Sequence, residues 1–337
     1  MATASHQPSP ELIFRTLNAF QQSAALKAAI DMELFTHIAD GASTASDLAK
    51  KCSASPRGMR FLCDYMTIQG FLTKTGDTYG LTPDSAIFLN KKSPAYLGSF
   101  SNFLMHPMNL GKYSDLAAVV RHGGALPVEH GHMDPDHPIW VEFARSIAPM
   151  AAMGGRALAP LVTSPGTPAK VLDIAAGHGL YGITLAQFNP AAQIFGVDWK
   201  PVLEVALENA KKAGVADRYH PIPGSAFEVD LGSGYDLVLL PNFLHHFSPE
   251  ANVGLLKRIR PAIKPGGQLA TLEFVPNEDR ISPPMPASFS MIMLATTDHG
   301  DAYTFRELDQ MLRDAGFGAS TEQDLPQSPN KLILTKV

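Results

Sequence analysis

The sequence predicts a doubly wound α/β domain preceded by a small helical unit with a β-wing. Three observations carry this expectation. From residue 170 onward, apolar strand-like runs at 171–174, 194–197, 219–222, 237–240 and 268–274 alternate with helix-period segments, the pattern of a mostly parallel sheet covered on both faces. The first run ends in Asp173 and a turn of small residues, Ala175-Ala-Gly-His-Gly179, while the second ends in another acid, Asp198. In an open α/β sheet, that placement builds a ligand crevice at the carboxyl edge of the strands. Residues 1–92 instead read as helices closed by one short hairpin.

Taken in order, residues 11–39 read as one helix, with Leu12, Leu17, Phe20, Ala24, Leu26 and Ile30 at roughly helical spacing. Residues 44–50 follow as a short helix behind a Ser/Thr cap. Pro56 opens another helix through residue 69, because proline suits a first helical turn. Residues 70–82 form two strands around Gly76-Asp77, which completes a winged-helix unit over 1–92. Residues 93–163 are a mostly helical connector with a polar interruption at 122–138. Ser164-Pro-Gly-Thr-Pro168 is a linker by composition, and 164–337 is the α/β domain. Its last two segments, 318–322 and 332–335, are expected as an antiparallel edge, which makes seven strands.

Composition sets the class. The 337 residues, 45% hydrophobic and 18% charged, suit a globular chain of about two domains. A formal net charge of −5 argues against a partner held through phosphates. The helix at 56–69 offers only Arg57 and Arg60 as basic residues, so the winged helix is expected to dimerise rather than read nucleic acid. Cys52 and Cys63 provide no disulfide framework and suit a reducing compartment. The polar start lacks a leader pattern and no apolar run approaches the ~18 residues of a membrane span, so a cytoplasmic protein without membrane contact is expected. His130, His132, Asp134, Asp136 and His137 have no regular ligand spacing and read as a solvated loop; no metal is expected.

Gly177 and Gly179 let the backbone approach a ligand closely, and Asp198 is placed to accept hydrogen bonds from a ribose diol. Gly177, Gly179 and Gly182 also satisfy G-x-G-x-x-G, so the glycines alone do not separate this site from a dinucleotide site. Asp173 and the downstream motifs make the distinction. The segment resembles motif I of class I S-adenosyl-L-methionine (SAM) dependent methyltransferases. From about residue 11 to the end, the chain resembles the plant-type small-molecule O-methyltransferases, which include caffeic acid, isoflavone and hydroxyindole enzymes and bacterial relatives of secondary metabolism. That resemblance implies a homodimer through the N-terminal domain and a Rossmann-like catalytic domain. It also implies SAM as cofactor and S-adenosyl-L-homocysteine (SAH) as product.

The resemblance assigns roles residue by residue. Asp173, Ala175, Gly177 and Gly179 line the cofactor, Asp198 holds the ribose, and Trp199 lies beside it. The family's Gly-Asp-Met/Phe-Phe, whose Asp reads the adenine amino group, is here Gly224-Ser225-Ala226-Phe227. Ser225 keeps a neutral hydrogen-bonding group and Phe227 the aromatic neighbour. Where plant enzymes have Lys-Trp-x-x-His-Asp-Trp, this chain has Pro241-Asn-Phe-Leu-His-His-Phe247. His245 thus falls on the catalytic histidine and His246 replaces the Asp. Pro241, Asn242 and Phe243 border the methionine end of the cofactor, with Phe243 and His246 also toward the acceptor. Glu273 falls on one of two glutamates that orient the histidine. The other position is Ala302, and Asp301, one residue earlier, is the expected substitute. Phe289, Met291, Met293 and Thr297, with Met150 and Met153 of the connector, are expected to wall the acceptor, since methionines give an adaptable apolar surface.

Methyl transfer from a sulfonium needs in-line positioning and, for a phenol, removal of a proton. A phenol has a pKa near ~10 and a histidine near ~6.5, so a carboxylate that stabilises the imidazolium makes the better base. His245 with Glu273 is the expected pair for methylation of a small aromatic or polyketide-like hydroxyl. Two rivals stand beside it: methylation of carbon or nitrogen, and a SAM-binding regulator that transfers nothing.

Overall fold

Residues 11–39 form three helices rather than one in the computed structural model, which describes residues 8–127, 139–167, 169–326 and 328–337. These are α1 (Glu11–Leu17), α2 (Ala19–Asp31) and α3 (Leu34–Ala39). Local chemistry makes the breaks. The Asn18 amide donates to the Phe14 carbonyl at 2.9 Å, competing with helix continuation. Glu33 adopts φ +52°, a left-handed conformation that an α-helix does not pass through. α4 (Ala45–Lys51) and α5 (Pro56–Ile68) begin at Thr44 and Ser55, whose hydroxyls accept from Asp47 and Gly58 amides. β1 (Leu72–Thr75) and β2 (Thr78–Leu81) pair as the wing.

Leu34, Phe35, Leu48, Met66 and Cys63 fill the core of this unit at 0% exposure. Leu12, Ile13, Phe14, Leu17 and Phe20 are all at least 60% exposed, an apolar set of the kind that marks a contact surface. α6 (Pro83–Phe88) and α7 (Phe100–Leu104) belong to the same compact unit, which extends to His106. The Leu97 amide donates to the Phe88 carbonyl at 2.8 Å, so the residues just beyond 92 stay tied to α6.

The second unit begins at Pro107 with α8 (Pro107–Gly111), α9 (Leu116–His122) and α10 (Ile139–Val162). The histidine-rich loop at 130–137 lies outside the described residues. The α/β part then runs β3 (Ala169–Ile174), α11 (Leu180–Phe188), β4 (Ala192–Asp198), α12 (Lys200–Lys212), β5 (Tyr219–Pro223), β6 (Tyr235–Pro241), α13 (Pro249–Ile259) and β7 (Ile263–Glu273). It closes with α14 (Pro284–Thr296), α15 (Phe305–Asp314), β8 (Ser320–Asp324) and β9 (Lys331–Lys336). The seven strands lie in the order β5-β4-β3-β6-β7-β9-β8. Only β9 and β8 run antiparallel to their neighbours.

Leu172, Ile174, Ile194, Val238, Leu239, Leu240, Leu269 and Leu272 are all at 0% exposure, as expected for strands covered on both faces. α10 closes on α11 through Gly155, where a Cβ would come within 2.2 Å of the Thr184 hydroxyl. No helix among the described residues is long and apolar enough to cross a membrane. The direction in which successive strands are added reverses between the parallel neighbours β3 and β6, and the crevice at that switch point is where α/β sheets bind ligands.

Candidate active site

Two clusters of side chains meet along the carboxyl edge of the sheet. The first comes from β3 and β4. Asp173, at 0% exposure, accepts the Gly182 amide on Oδ2 at 3.1 Å, while its Oδ1 is buried with no hydrogen-bond partner among the described residues. Burial pushes its carboxyl up to about 8, with the charge of Asp198 adding to the effect, because removing an anion from water disfavours ionisation. Gly182 permits this contact, since a Cβ there would lie 2.5 Å from Ile194 Cγ2 and 2.9 Å from Asp173 Oδ2.

The turn after β3 carries Ala175, Gly177 and Gly179, all at positive φ. At Gly179, with φ +73°, a Cβ would also meet Ala206 at 2.8 Å, so only glycine fits without strain. Asp198 ends β4 and holds the turn from the other side. Its Oδ2 accepts the Gly177 amide at 2.8 Å and its Oδ1 the Trp199 amide at 2.7 Å. Burial pushes Asp198 up to about 6 in spite of both bonds. Trp199 packs against the buried cluster of Ala144, Val202 and Val205. The Gly224 amide donates to the Asp198 carbonyl at 2.9 Å. Ser225 accepts the Phe227 amide on its hydroxyl oxygen at 3.2 Å, and Ala226 is buried. Phe227, Phe243 and Phe247 pack at centroid distances of 4.9–6.3 Å.

The second cluster comes from β6 and β7, whose ends are in register through Pro241 and Leu272. Glu273, 2% exposed, accepts the Phe243 and Leu244 amides on Oε1 at 3.0 and 2.8 Å. Its Oε2 lies 2.6 Å from His245 Nδ1. Glu273 thereby fixes the imidazole with Nδ1–H toward the carboxylate and Nε2 facing away, and Nε2 has no hydrogen-bond partner among the described residues. Phe289 of α14 packs edge-on against His245 at 4.9 Å and stacks on Phe274 at 4.1 Å. The His246 ring lies 4.3 Å from His245. Burial, then the neighbouring His245 and Lys112, holds His246 well below the usual histidine value.

Family models match both parts of this architecture: an O-methyltransferase dimerisation domain over residues 14–91 and an O-methyltransferase domain over 153–318. A crystal structure from Nostoc punctiforme, described as an O-methyltransferase, is 50% identical, covers 98% of this chain and 99% of that one, and superposes with a TM-score of 0.93. The chain belongs to the O-methyltransferase family. The tetracenomycin polyketide synthesis 8-O-methyl transferase of Streptomyces glaucescens is 26% identical over 94% of each chain. Human N-acetylserotonin methyltransferase, solved in complex with SAM, shares the fold at a TM-score of 0.85 and 22% identity, covering 99% of each chain. The protein is a SAM-dependent methyltransferase.

This O-methyltransferase has a crevice that suits SAM on two observations. The orphaned Asp173 Oδ1 is a buried carboxyl oxygen whose ionised form lacks a counter-charge, and, its chain neighbours aside, no atom comes closer than 3.8 Å to the Cβ position of Gly177. The structure brings together Asp173, Ala175, Gly177, Gly179, Asp198 and Trp199 around one turn, and His245, His246, Glu273 and Phe289 around another. Asp301 does not join the second group as expected. Its carboxylate is 3.0 Å from the Arg280 guanidinium, and Glu307 takes the other arm of the same arginine, while Glu273 alone fills the Nδ1 side of His245. Ala302 is at 0% exposure, so a neutral methyl occupies the second glutamate's position.

Among the expected acceptor residues, Met293 is buried but Met291 is 47% exposed. Met153 is half-buried and Met150 exposed. The Thr297 hydroxyl donates to the Met293 carbonyl and accepts the Gly300 amide, so it locks a turn. Sequence reasoning missed a polar chain beside Pro241. Asn330 donates to Asn242 Oδ1 at 2.6 Å, and Asn242, at φ +54°, donates to the Tyr181 hydroxyl at 3.5 Å. The asparagine at a strand end was the one available signal. Phe274 was also missed, although it directly follows Glu273.

Proposed function

We propose that the protein methylates a hydroxyl of a small aromatic or polyketide-like metabolite, with His245 as general base oriented by Glu273. The observation that carries this reading is the buried 2.6 Å contact of His245 Nδ1 with Glu273, which leaves Nε2 free. SAM supplies an electrophilic methyl on a sulfonium, so the chain's residues position the acceptor and take its proton. The acceptor O–H gives its proton to His245 Nε2 as the O–CH₃ bond forms and the S–CH₃ bond breaks. The Glu273 carboxylate stabilises the resulting imidazolium, an arrangement worth ~10²–10⁴-fold in rate.

On the cofactor side, Asp198 accepts from the ribose hydroxyls while its oxygens keep the Gly177 and Trp199 amides. Asp173 Oδ1 takes the methionine ammonium, with Pro241 and Asn242 beside that end. Ser225, Ala226 and Phe227 border the adenine. Phe243, His246, Phe289 and Met293 wall the acceptor. The name of the Streptomyces glaucescens relative, an 8-O-methyl transferase of polyketide synthesis, supports this acceptor class. The match to a dimerisation domain and the exposed Leu12, Ile13, Phe14, Leu17 and Phe20 support a homodimer.

The test is transfer from methyl-labelled SAM to a panel of phenols, naphthols, indoles and quinols, with products located by NMR. A labelled methyl ether is expected. Label on carbon or nitrogen, or SAM binding with no transfer to any hydroxyl, would overturn the reading.

A further inference from the structure

Three side chains from distant parts of the α/β domain form a hydrogen-bonded file beside the end of β6. Asn330, in the loop before β9, is 6% exposed, and its Oδ1 accepts the Ser328 hydroxyl at 3.2 Å. Its Nδ2 therefore faces Asn242 and donates to Asn242 Oδ1 at 2.6 Å. With that oxygen occupied, Asn242 turns Nδ2 to the Tyr181 hydroxyl oxygen, 3.5 Å away. Each primary amide has one accepting and one donating end, so the file has a direction. Tyr181 receives a hydrogen bond and keeps its own O–H to give. That hydrogen has no acceptor among the described residues.

The hydroxyl is held where the two halves of the carboxyl edge meet. Asn242 directly follows Pro241 of β6, and its backbone amide donates to the Leu272 carbonyl near the end of β7 at 2.7 Å. Tyr181, in the first turn of α11, precedes Gly182, whose amide bonds to Asp173 Oδ2 at 3.1 Å. On a third side stands Gly154 of α10, where a Cβ would lie 3.3 Å from the Tyr181 oxygen. Tyr181 is 7% exposed, and burial pushes its hydroxyl up to about 12, so it remains a donor. An O–H held out of water without an acceptor costs free energy until a ligand supplies one.

We propose that Tyr181 donates its hydroxyl hydrogen to the methionine carboxylate of the cofactor, with Asn242 and Asn330 as positioning residues that aim it. This deepens the cofactor placement proposed above and rests on it. The methionine end of SAM carries an ammonium and a carboxylate on one carbon. Asp173 and Tyr181 offer complementary partners: a carboxyl acceptor for the ammonium and an O–H donor for the carboxylate. A hydrogen bond from a neutral donor to an anion is charge-assisted. SAM and SAH share this end, so the bond acts on the affinity for both and leaves proton transfer at His245 untouched.

The experiment uses the full-length protein and two probes. One is SAH; the other is its decarboxylated analogue, 5′-deoxy-5′-(3-aminopropylthio)adenosine, which keeps the nucleoside, the sulfur and the ammonium. Calorimetry measures both, and thermal melting checks that each variant is folded. Tyr181→Phe should weaken SAH about tenfold, a difference of about 1.4 kcal/mol, and leave the analogue unchanged. Asn330→Leu should weaken SAH less, because Asn242 is then able to turn either end to Tyr181, and should again spare the analogue. The double variant should bind SAH no worse than Tyr181→Phe alone.

Normal SAH affinity in Tyr181→Phe, or equal losses for SAH and the analogue, would overturn the proposal. An Asn330→Leu effect that persists in full without the Tyr181 hydroxyl would remove the aiming role of the file. Asp173→Asn separates the proposal from the placement beneath it, since the analogue keeps the ammonium and both ligands should weaken. If neither weakens, the ammonium placement fails, while a carboxylate-selective loss in Tyr181→Phe keeps the role of the tyrosine.

Discussion

The β3–β4 half of the carboxyl edge and its β6–β7 half treat buried carboxylates in opposite ways. Asp173 has one backbone donor and an orphaned oxygen, and Asp198 has two backbone donors. Burial pushes both upward, to about 8 and about 6. Glu273, as buried as Asp173, has three donors: two amides and the His245 ring. The first half is electrostatically incomplete and awaits a cationic ligand. The second is complete within the chain and holds its histidine ready. Binding and proton transfer should therefore separate cleanly under mutation.

The largest expected effect sharpens that separation. His245→Ala should reduce transfer by about 10²-fold or more with SAM affinity nearly unchanged by calorimetry; unchanged turnover would remove the base assignment. Asp198→Ala should do the converse, weakening SAM by about 2–3 kcal/mol, partly because the Gly177 and Trp199 amides lose their acceptor. Normal SAM affinity in that variant would sink the ribose assignment. Glu273→Gln keeps the shape but not the charge and should cost about 1.5–3 kcal/mol in transfer. If it weakened SAM by as much, the two halves would not be independent.

A pH series probes the incomplete half. The folded-state values of Asp173 and Asp198, about 8 and 6, lie above the roughly 3.9 of an unfolded chain. The native state then binds more protons than the unfolded state, so ligand-free stability should fall as pH rises from about 4 to about 8. An ammonium against Asp173 favours the ionised form, so SAM should release protons on binding and raise the melting temperature more at pH 8 than at pH 6. Asp173→Asn should flatten both trends, and a thermal shift independent of pH would contradict the picture. The smallest effect is expected at Asp301, whose partner Arg280 is substantially exposed. Asp301→Asn should change stability by no more than about 1 kcal/mol and leave transfer nearly intact; a large loss of transfer would restore it to the base cluster.

The same contrast explains what the sequence made legible. Asp173, Gly177, Gly179 and Gly182 lie within ten residues, and their spacing on a strand, turn and helix is a local pattern. His245 and Glu273 are 28 residues apart and meet because β6 and β7 pair in register, so they were reached through family resemblance and not through spacing. Asp301 went to the wrong partner because Arg280, 21 residues away, claims it from a loop that no periodicity describes. The contact of Asn330 with Asn242 spans 88 residues, and the asparagine at the strand end gave no hint of its distant partner. In the N-terminal unit, helical periodicity runs on across Asn18 and Glu33, although a side-chain bond and a left-handed residue end the helices there.

The central claim is that His245 and Glu273 act as one proton-accepting unit, separate from cofactor binding. A double-mutant cycle in single-turnover methyl transfer tests it most directly, with wild type, His245→Ala, Glu273→Gln and the double variant each preloaded with SAM. The account predicts that the double variant is no slower than His245→Ala, because a glutamate that orients a missing base has nothing left to contribute. Losses that simply add would contradict it and give Glu273 a role of its own.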